Sequence, residues 1–457
     1  MKHIRIIMLC LTLLLAFALS GCTTDESVDL QLGNVIAEGS CGEQLTWQLD
    51  EKGLLLISGQ GNMQYKTEGE NVVRFSHEWD EYRDKIHTVC LSDGVTNIDG
   101  NAFSNCPALT SVVIPGSVEN IDACAFSLCT ALKSVSLGKG VKSIGGFAFY
   151  ECGALSSLTL PDSVTDIDEY AFYNCAALKS VEFPNSVTSI GQGAFSNCTA
   201  LERVELSVGV SSIGKNAFSG CPVLSEIHVA EGNPTYMDQD GVLIDKVEKT
   251  LLLSPVASSN SSCTIPDGIT GIEAYAFCSS TALTRVEIPA SVTSIGEHAL
   301  TNCPALSAIH VAEGNPSYVD RDGVLFDKEG KTLLHYPAAK SESSYSIPAG
   351  VTRIDPAAFL GCASLRSVTI PDGVEVIDEY AFNRCTALTR MEFPDSVWEI
   401  AAHAFENCTA LESATFHIKT RIEEDGFRNC PNLKIVCDAN SYAETYAKEN
   451  NIPYERQ

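Results

Sequence analysis

The amino-acid sequence predicts an α/β solenoid, a right-handed coil whose short strands stack into a parallel sheet on the concave face. Three observations predict it. A skeleton, V-x-x-I-[DG]-x-x-A-F-x-x-C-x-x-L-x-x-V-x-[IFL]-P, recurs twelve times. Val95, Val118, Val141, Val164, Val187 and Val210 open six consecutive copies 23 residues apart. Both ends of the repeat run depart from the skeleton, as they must where an apolar face has no neighbour to cover it. A chain of 457 residues would ordinarily suggest two or three domains. A fixed period overrides that expectation, because a solenoid grows by stacking coils rather than by enlarging one core.

The first 21 residues read as an export leader. Lys2 and Arg5 give a basic start, and Ile6 to Leu19 is an apolar run short for a bilayer span. Leu19-Ser20-Gly21-Cys22 resembles the lipobox of bacterial lipoproteins. That resemblance implies cleavage before Cys22 and lipid attachment to it; the competing reading is an ordinary leader with an incidental cysteine. Residues 22–34 then form the lipidated cysteine and a polar tether, and 35–94 an N-terminal β cap. Within the cap, TWQL and LLLIS flank Asp50-Glu51-Lys52-Gly53 as a hairpin. Ile86 to Val89 takes the strand slot of a degenerate coil.

Residues 95–229 hold repeats one to six, 267–311 repeats seven and eight, and 349–436 repeats nine to twelve. In each coil a short strand such as that around Leu178, Val181 and Phe183 alternates inward and outward and ends at a proline, here Pro184. Pro-Asp-Gly and Pro-Asp-Ser turns follow. Ala-Phe-x-x-Cys is expected to make a tight helical turn that plugs the coil, with Leu300 once in place of Phe. Residues 230–266 and 312–348 are near-duplicate insertions. Each reads as a small β-meander projecting from the solenoid edge, with Asp240-Gly241 and Asp322-Gly323 as tight turns. Residues 437–457 close the stack through a short amphipathic helix, SYAETYAKEN, stopped by Pro453.

The chain carries 58 acidic against 30 basic residues, a net charge of −28. That field repels nucleic acid and anionic lipid headgroups, so no nucleic-acid partner is expected, and membrane contact is expected only through the lipid anchor. Nineteen cysteines in an exported chain would suggest a disulfide framework. Eleven of them, from Cys106 through Cys430, occupy one slot of the repeat. Parallel side chains in a ladder have poor disulfide geometry, so a buried ladder of thiols is expected. Paired C-x-x-C motifs are absent, so no zinc site is indicated, and no cofactor is expected.

The skeleton, the CGxxLTWxLD opening, the two GNPxYxxxDGVL insertions and the SYAETYAKEN ending closely resemble the BspA-like leucine-rich-repeat proteins of bacterial cell surfaces. The resemblance spans roughly residues 35–457. It implies an exported adhesin or ligand-binding protein, anchored at the cell surface, whose partners are extracellular proteins or glycans. It carries no shared catalytic residues.

The sequence offers little chemistry of its own. HExxH, GxSxG and P-loop motifs are missing. DxDG at 238–241 and 320–323 lacks the rest of a calcium loop and reads as a hairpin turn. The outward strand slots are more informative. They are bland in the first coils (Ser111, Val113, Ser134, Ser136, Ser157, Thr159). From the fourth coil they become charged: Glu182, Arg203, Glu205, Glu226 and His228, then Arg285, Glu287 and His310, and later Arg390 and Glu392. This mixed-sign stripe is either a partner footprint or a set of mutually paired, solvated charges. A second candidate is aromatic: Phe147 and Tyr170 share one slot, Tyr150 and Tyr173 another, so both pairs should stack across coils three and four. A non-catalytic binder, a structural spacer and, least favoured, an enzyme are the three functional readings.

Overall fold

In the computed structural model the described residues are 31–64, 76–239, 241–417 and 419–457. The leader, Cys22 and Asp240 therefore lie outside the described residues. The chain divides into two compact units, Met1–Asp238 and Gln239–Gln457, with the division inside the first insertion. Among the described residues no helix is long and apolar enough to cross a membrane.

The first unit opens with an antiparallel meander of Val35–Ser40, Leu45–Asp50 and Leu54–Gly59. The expected hairpin is held by Asp50, whose Oδ1 accepts the N–H groups of Lys52 and Leu54, each at 2.9 Å. Gly53, at φ +81°, completes the turn. The third strand pairs in parallel with Thr88–Leu91, which continues to Ser111–Val113 and Ser134–Ser136. The cap is thus the first part of the sheet. Trp79, fully buried, stacks on Phe103 at 5.5 Å and heads the column of plugs. Its indole N–H donates to Ala102 O at 2.8 Å.

Most coils contribute two strands, not the single one the sequence suggested. The V-x-x-I slot forms a second parallel sheet of two-residue strands: Asn120–Ile121, Ser143–Ile144, Asp166–Ile167, Ser189–Ile190 and Ser212–Ile213, in unbroken register. Two residues are too few to leave an alternation in the sequence, so only their inward isoleucines were visible. Ser157–Thr159, conversely, is not a strand, and the longer-stranded sheet resumes at Ser180–Glu182.

The Ala-Phe segment is not the helical turn its length suggested. Left-handed residues flank it in coil after coil, as with Tyr170 at φ 54° and Asn174 at φ 55° around Ala171-Phe172. That conformation points successive N–H groups along the stack. Tyr170, Phe172 and Asn174 donate to Gln192 O, Ala194 O and Ser196 O of the next coil at 2.8, 2.8 and 2.9 Å. A helix would spend those donors within its own turn.

Plug phenylalanines stack ring on ring from Phe103 through Phe126, Phe149, Phe172, Phe195 and Phe218, at 5.1–5.7 Å between centroids. The cysteine ladder runs beside them. From Cys129 onward each thiol donates to the carbonyl of the plug one coil earlier, as with Cys152 to Phe126 O (3.2 Å), Cys175 to Phe149 O (3.3 Å) and Cys198 to Phe172 O (3.3 Å). Cysteine is therefore more than a small apolar filler here, because its weak donor satisfies a buried carbonyl. Off the ladder, Cys41, Cys124, Cys278 and Cys437 are free thiols.

The second unit repeats these features. Its cysteine ladder is bonded in the same way, with Cys385 to Phe359 O at 3.1 Å and Cys408 to Phe382 O at 3.2 Å. The second insertion is the expected antiparallel meander: Tyr318–Arg321, Val324–Asp327 and Thr332–His335, with Asp322 (φ 52°) and Gly323 (φ 77°) as its two-residue turn. It does not simply project. Its third strand pairs in parallel with Arg353–Ile354, and Tyr336 takes the plug slot, 5.0 Å from Phe359. The insertion is itself a rung of the stack. In the first insertion, Thr250–Leu253 likewise pairs in parallel with Gly271–Ile272.

The GNPxY residues manage the interruption. Asn315, 1 % exposed, donates through Nδ2 to Pro289 O and Val292 O, each at 2.9 Å. Its Oδ1 accepts from Ser317 N and Tyr318 N at 2.9 and 2.8 Å. Tyr318 OH accepts the N–H of Ile295, the last strand of its sheet, at 3.0 Å. Asp320 Oδ1 accepts Val311 N–H at 2.8 Å. In the first unit Asn233, Tyr236 and Asp238 make the equivalent bonds, to Ser207 O and Val210 O, from Ile213 N and from Val229 N. The first aspartate of each DxDG is thus a strand cap as well as part of a hairpin.

At the C-terminus the expected helix is Tyr442–Glu449. Ser441 Oγ accepts Glu444 N–H at 3.1 Å, and Glu444 accepts Asn440 N–H at 2.7 Å. Arg456 and then Lys448, each 2.6 Å from Glu444 Oε1, hold that carboxyl down at about 2. Beyond Pro453 a further strand, Tyr454–Arg456, pairs in parallel with Lys434–Cys437, which the sequence did not suggest.

Candidate functional site

All but Arg390 and Glu392 of the charged slots fall on two short parallel sheets, one in each unit, and each is described separately. In the first unit, registered pairing sets Arg203 between Ser180 and Glu226, and Glu205 between Glu182 and His228. Arg203 is hydrogen-bonded to Glu205 on its own strand and lies 3.6 Å from Glu226. The Glu205 hydrogen bond raises the guanidinium above its ordinary range. His228 Nδ1 is 3.8 Å from Asp238 Oδ1. The second unit repeats the arrangement: Arg285 pairs with Glu287, Glu287 faces His310 across the strands, and His310 Nδ1 is 3.8 Å from Asp320. Both groups are ion-paired within themselves on a solvated surface, where such pairs are each worth about 0–1 kcal/mol. Arg390, later in the stack, reaches Glu392 at 4.0 Å.

The four aromatic residues do meet. Phe147 stacks on Tyr170 at 5.1 Å and Tyr150 on Tyr173 at 5.0 Å. Phe147–Tyr150 at 5.6 Å and Tyr170–Tyr173 at 5.9 Å close the cluster into a two-by-two block. All four rings are half-buried. Gln192 Nε2 donates to Tyr170 OH at 2.8 Å and Asn197 Nδ2 to Tyr173 OH at 2.7 Å. Desolvation first, then the Glu151 hydrogen bond, raises the Tyr150 phenol above its usual value.

The backbone under these rings is unusual. Phe147 and Tyr170 stand at φ 59° and 54°, in the left-handed slot that several other coils fill with small or polar residues such as Asn101, Asn216 or Gly193. A bulky side chain there costs on the order of 1 kcal/mol or more. Gly193 follows in the same column because a Cβ on it would come within 2.5 Å of the Tyr170 ring.

Two more pairs in the same slot escaped the sequence reading: Tyr275 against His298 at 5.3 Å and Tyr380 stacked on His403 at 5.0 Å. Recognising histidine as a ring partner for tyrosine at a spacing of 23 would have found both.

Residues 81–179, 257–321 and 338–449 match the model of the BspA type leucine rich repeat region, in six copies. A leucine-rich repeat protein from Eubacterium ventriosum is 26 % identical, over 82 % of this chain and 95 % of that one, with a TM-score of 0.51. A leucine rich cell surface protein from Faecalibacterium prausnitzii is 24 % identical over 91 % and 98 % of the two chains, with a TM-score of 0.48. A leucine-rich repeat protein from Bacteroides ovatus is 24 % identical over 91 % and 99 %, with a TM-score of 0.46. No curated protein matches this chain.

Proposed function

Because this chain belongs to the BspA-type leucine-rich repeat family, we propose that it is a non-catalytic protein of the bacterial cell surface, held to the membrane by a lipid on Cys22, that binds extracellular proteins or glycans. The observation that carries the reading is the aromatic block at Phe147, Tyr150, Tyr170 and Tyr173. The fold needs only a residue that tolerates left-handed backbone at 147 and 170, and asparagine meets that need elsewhere. Large, half-exposed rings at strained positions serve contact with something outside the stack better than they serve the stack.

The paired charges favour a second reading, in which the sheets carrying Arg203 and Arg285 are inert and the protein acts as a spacer.

The test is a binding screen of the protein against matrix proteins and glycans, with Phe147→Asn/Tyr170→Asn beside the wild type. Lost ring stacking and relieved backbone strain nearly cancel, so stability should move by less than about 1 kcal/mol. Affinity for a ligand found in the screen should fall at least about tenfold. Unchanged affinity removes the aromatic block from the site, and a screen with no ligand favours the spacer.

A further inference from the structure

The second unit holds a cavity of about 290 Å³ that the stacking rule itself creates. Leu333 pairs with Ile354, and Tyr336 stacks on Phe359, so these residues occupy equivalent slots of adjacent rungs. Ile354 and Phe359 are five residues apart, whereas Leu333 and Tyr336 are only three apart. The insertion's rung therefore lacks the turn that would normally lie on the preceding coil. The space left is bounded on one side by Glu297 and His298 and on the other by Asp355, Glu379 and Tyr380, with His335 from the short rung between them.

The lining is unbalanced in a specific way. Three carboxylates reach one small cavity, and no lysine or arginine lines it. The guanidinium of Arg353 is committed to Asp378 at 2.6 Å and stands 3.7 Å from Asp355. His335 is 7 % exposed, and its ring has no hydrogen-bond or ion-pair partner among the described residues. Burial lowers its pKa to about 4, so near neutral pH it offers an uncharged acceptor nitrogen. Desolvation first, then Asp378, raises Asp355 to about 6, and Asp327 and Glu297 add to the effect against the opposing Arg353. Tyr380, backed by His403, supplies an aromatic surface at the mouth.

We propose that this cavity seats one arginine or lysine side chain of a basic extracellular polypeptide. A guanidinium has donors and no acceptors, which complements a lining rich in acceptors. It also stacks on aromatic faces, which a hydrated point charge does less well, so arginine is preferred to lysine. The chain's net charge of −28 draws such partners in from solution. The inference rests on reading the chain as a surface binder, and it narrows that binder's partner to a polypeptide carrying a basic residue.

The experiment is titration of the full chain with acetyl-Gly-Arg-Gly-amide, its Lys and Glu counterparts, and N-acetylglucosamine. Heteronuclear NMR would report the affected residues. The arginine peptide should bind with a Kd in the millimolar range or better, lysine more weakly, and the other two not measurably. Glu297→Gln/Glu379→Gln changes two exposed side chains outside the core, so the variant should fold and lose about tenfold or more in affinity. Affinity should also fall between about pH 7.5 and pH 5, as Asp355 takes up a proton and its charge is lost. Three outcomes overturn the assignment: equal binding of the Arg and Glu peptides, binding of the sugar as strong as that of arginine, or full affinity in the double variant. Each leaves the ligand screen free to succeed through another surface, so failure here is distinct from failure of the surface-binder reading.

Discussion

Asn315→Ala is expected to destabilise the second unit by about 3 kcal/mol or more, an effect seldom seen for one polar side chain. Asn315 is 1 % exposed and makes four hydrogen bonds, two donated to Pro289 O and Val292 O and two accepted from Ser317 N and Tyr318 N. Alanine leaves all four backbone groups without this partner in a place water reaches poorly, at about 1–3 kcal/mol for each group that finds no substitute. The loss also frees the segment that presents Tyr318 OH to Ile295 N–H. Solenoid stability is close to a sum of rung and interface terms, so the damage should stay local. Urea unfolding would show an early transition, and hydrogen exchange would place it around residues 289–318. Asn315→Asp keeps the acceptor but sets a carboxylate against two carbonyls, and should be no better than alanine. A loss below about 1 kcal/mol for both variants would sink this account of the insertions.

Phe382→Ala should cost about 3–5 kcal/mol, the range for truncating a large buried ring. Phe382 is fully buried, stacked at 4.6 Å on Phe359 and 4.9 Å on Phe405. Its neighbours are fixed by inter-coil hydrogen bonds, such as Phe382 N–H to Ala404 O at 2.7 Å, so the hole cannot close by sliding the coils together. Cys408 keeps its bond to the residue's carbonyl, which separates loss of the ring from loss of the ladder. Leu300 stands in the same slot naturally, so Phe382→Leu should cost distinctly less. Denaturant unfolding of the two variants decides it: equal costs would mean that the ring column is not what holds adjacent coils.

The parts legible in the sequence were those written once per coil in side chains. Val, Ile, Ala-Phe and Cys repeat at 23 residues because each must meet its counterpart above and below. The Phe column, the thiol ladder and the ring pairs at 147/170 and 150/173 follow directly from that. What stayed hidden is written in the backbone. The left-handed residues at 101 and 105, and their equivalents, carry side chains as different as Asn, Leu, Phe, Glu, Arg and Gly, so composition does not mark them. The second sheet rests on two-residue strands, shorter than any alternation that could announce them. The insertions resembled outgrowths because the return of Thr332–His335 to the stack depends on register, which a hairpin motif does not disclose. The cavity beside His335 follows from a rung two residues short, visible only once Leu333 and Tyr336 are known to be equivalent to Ile354 and Phe359.

The thiol ladder bears on how this chain meets oxidants. Burial pushes Cys152 and Cys221 up to about 12, and each proton is already given to a carbonyl, to Phe126 O and Phe195 O. A thiol held that way has almost no thiolate to offer, so oxidants and disulfide exchange pass it by while the coil is closed. An alkylating reagent can reach it only in the moments when that coil opens. The interior of the ladder is therefore a built-in row of clocks, whose labelling rates time the opening of the stack position by position.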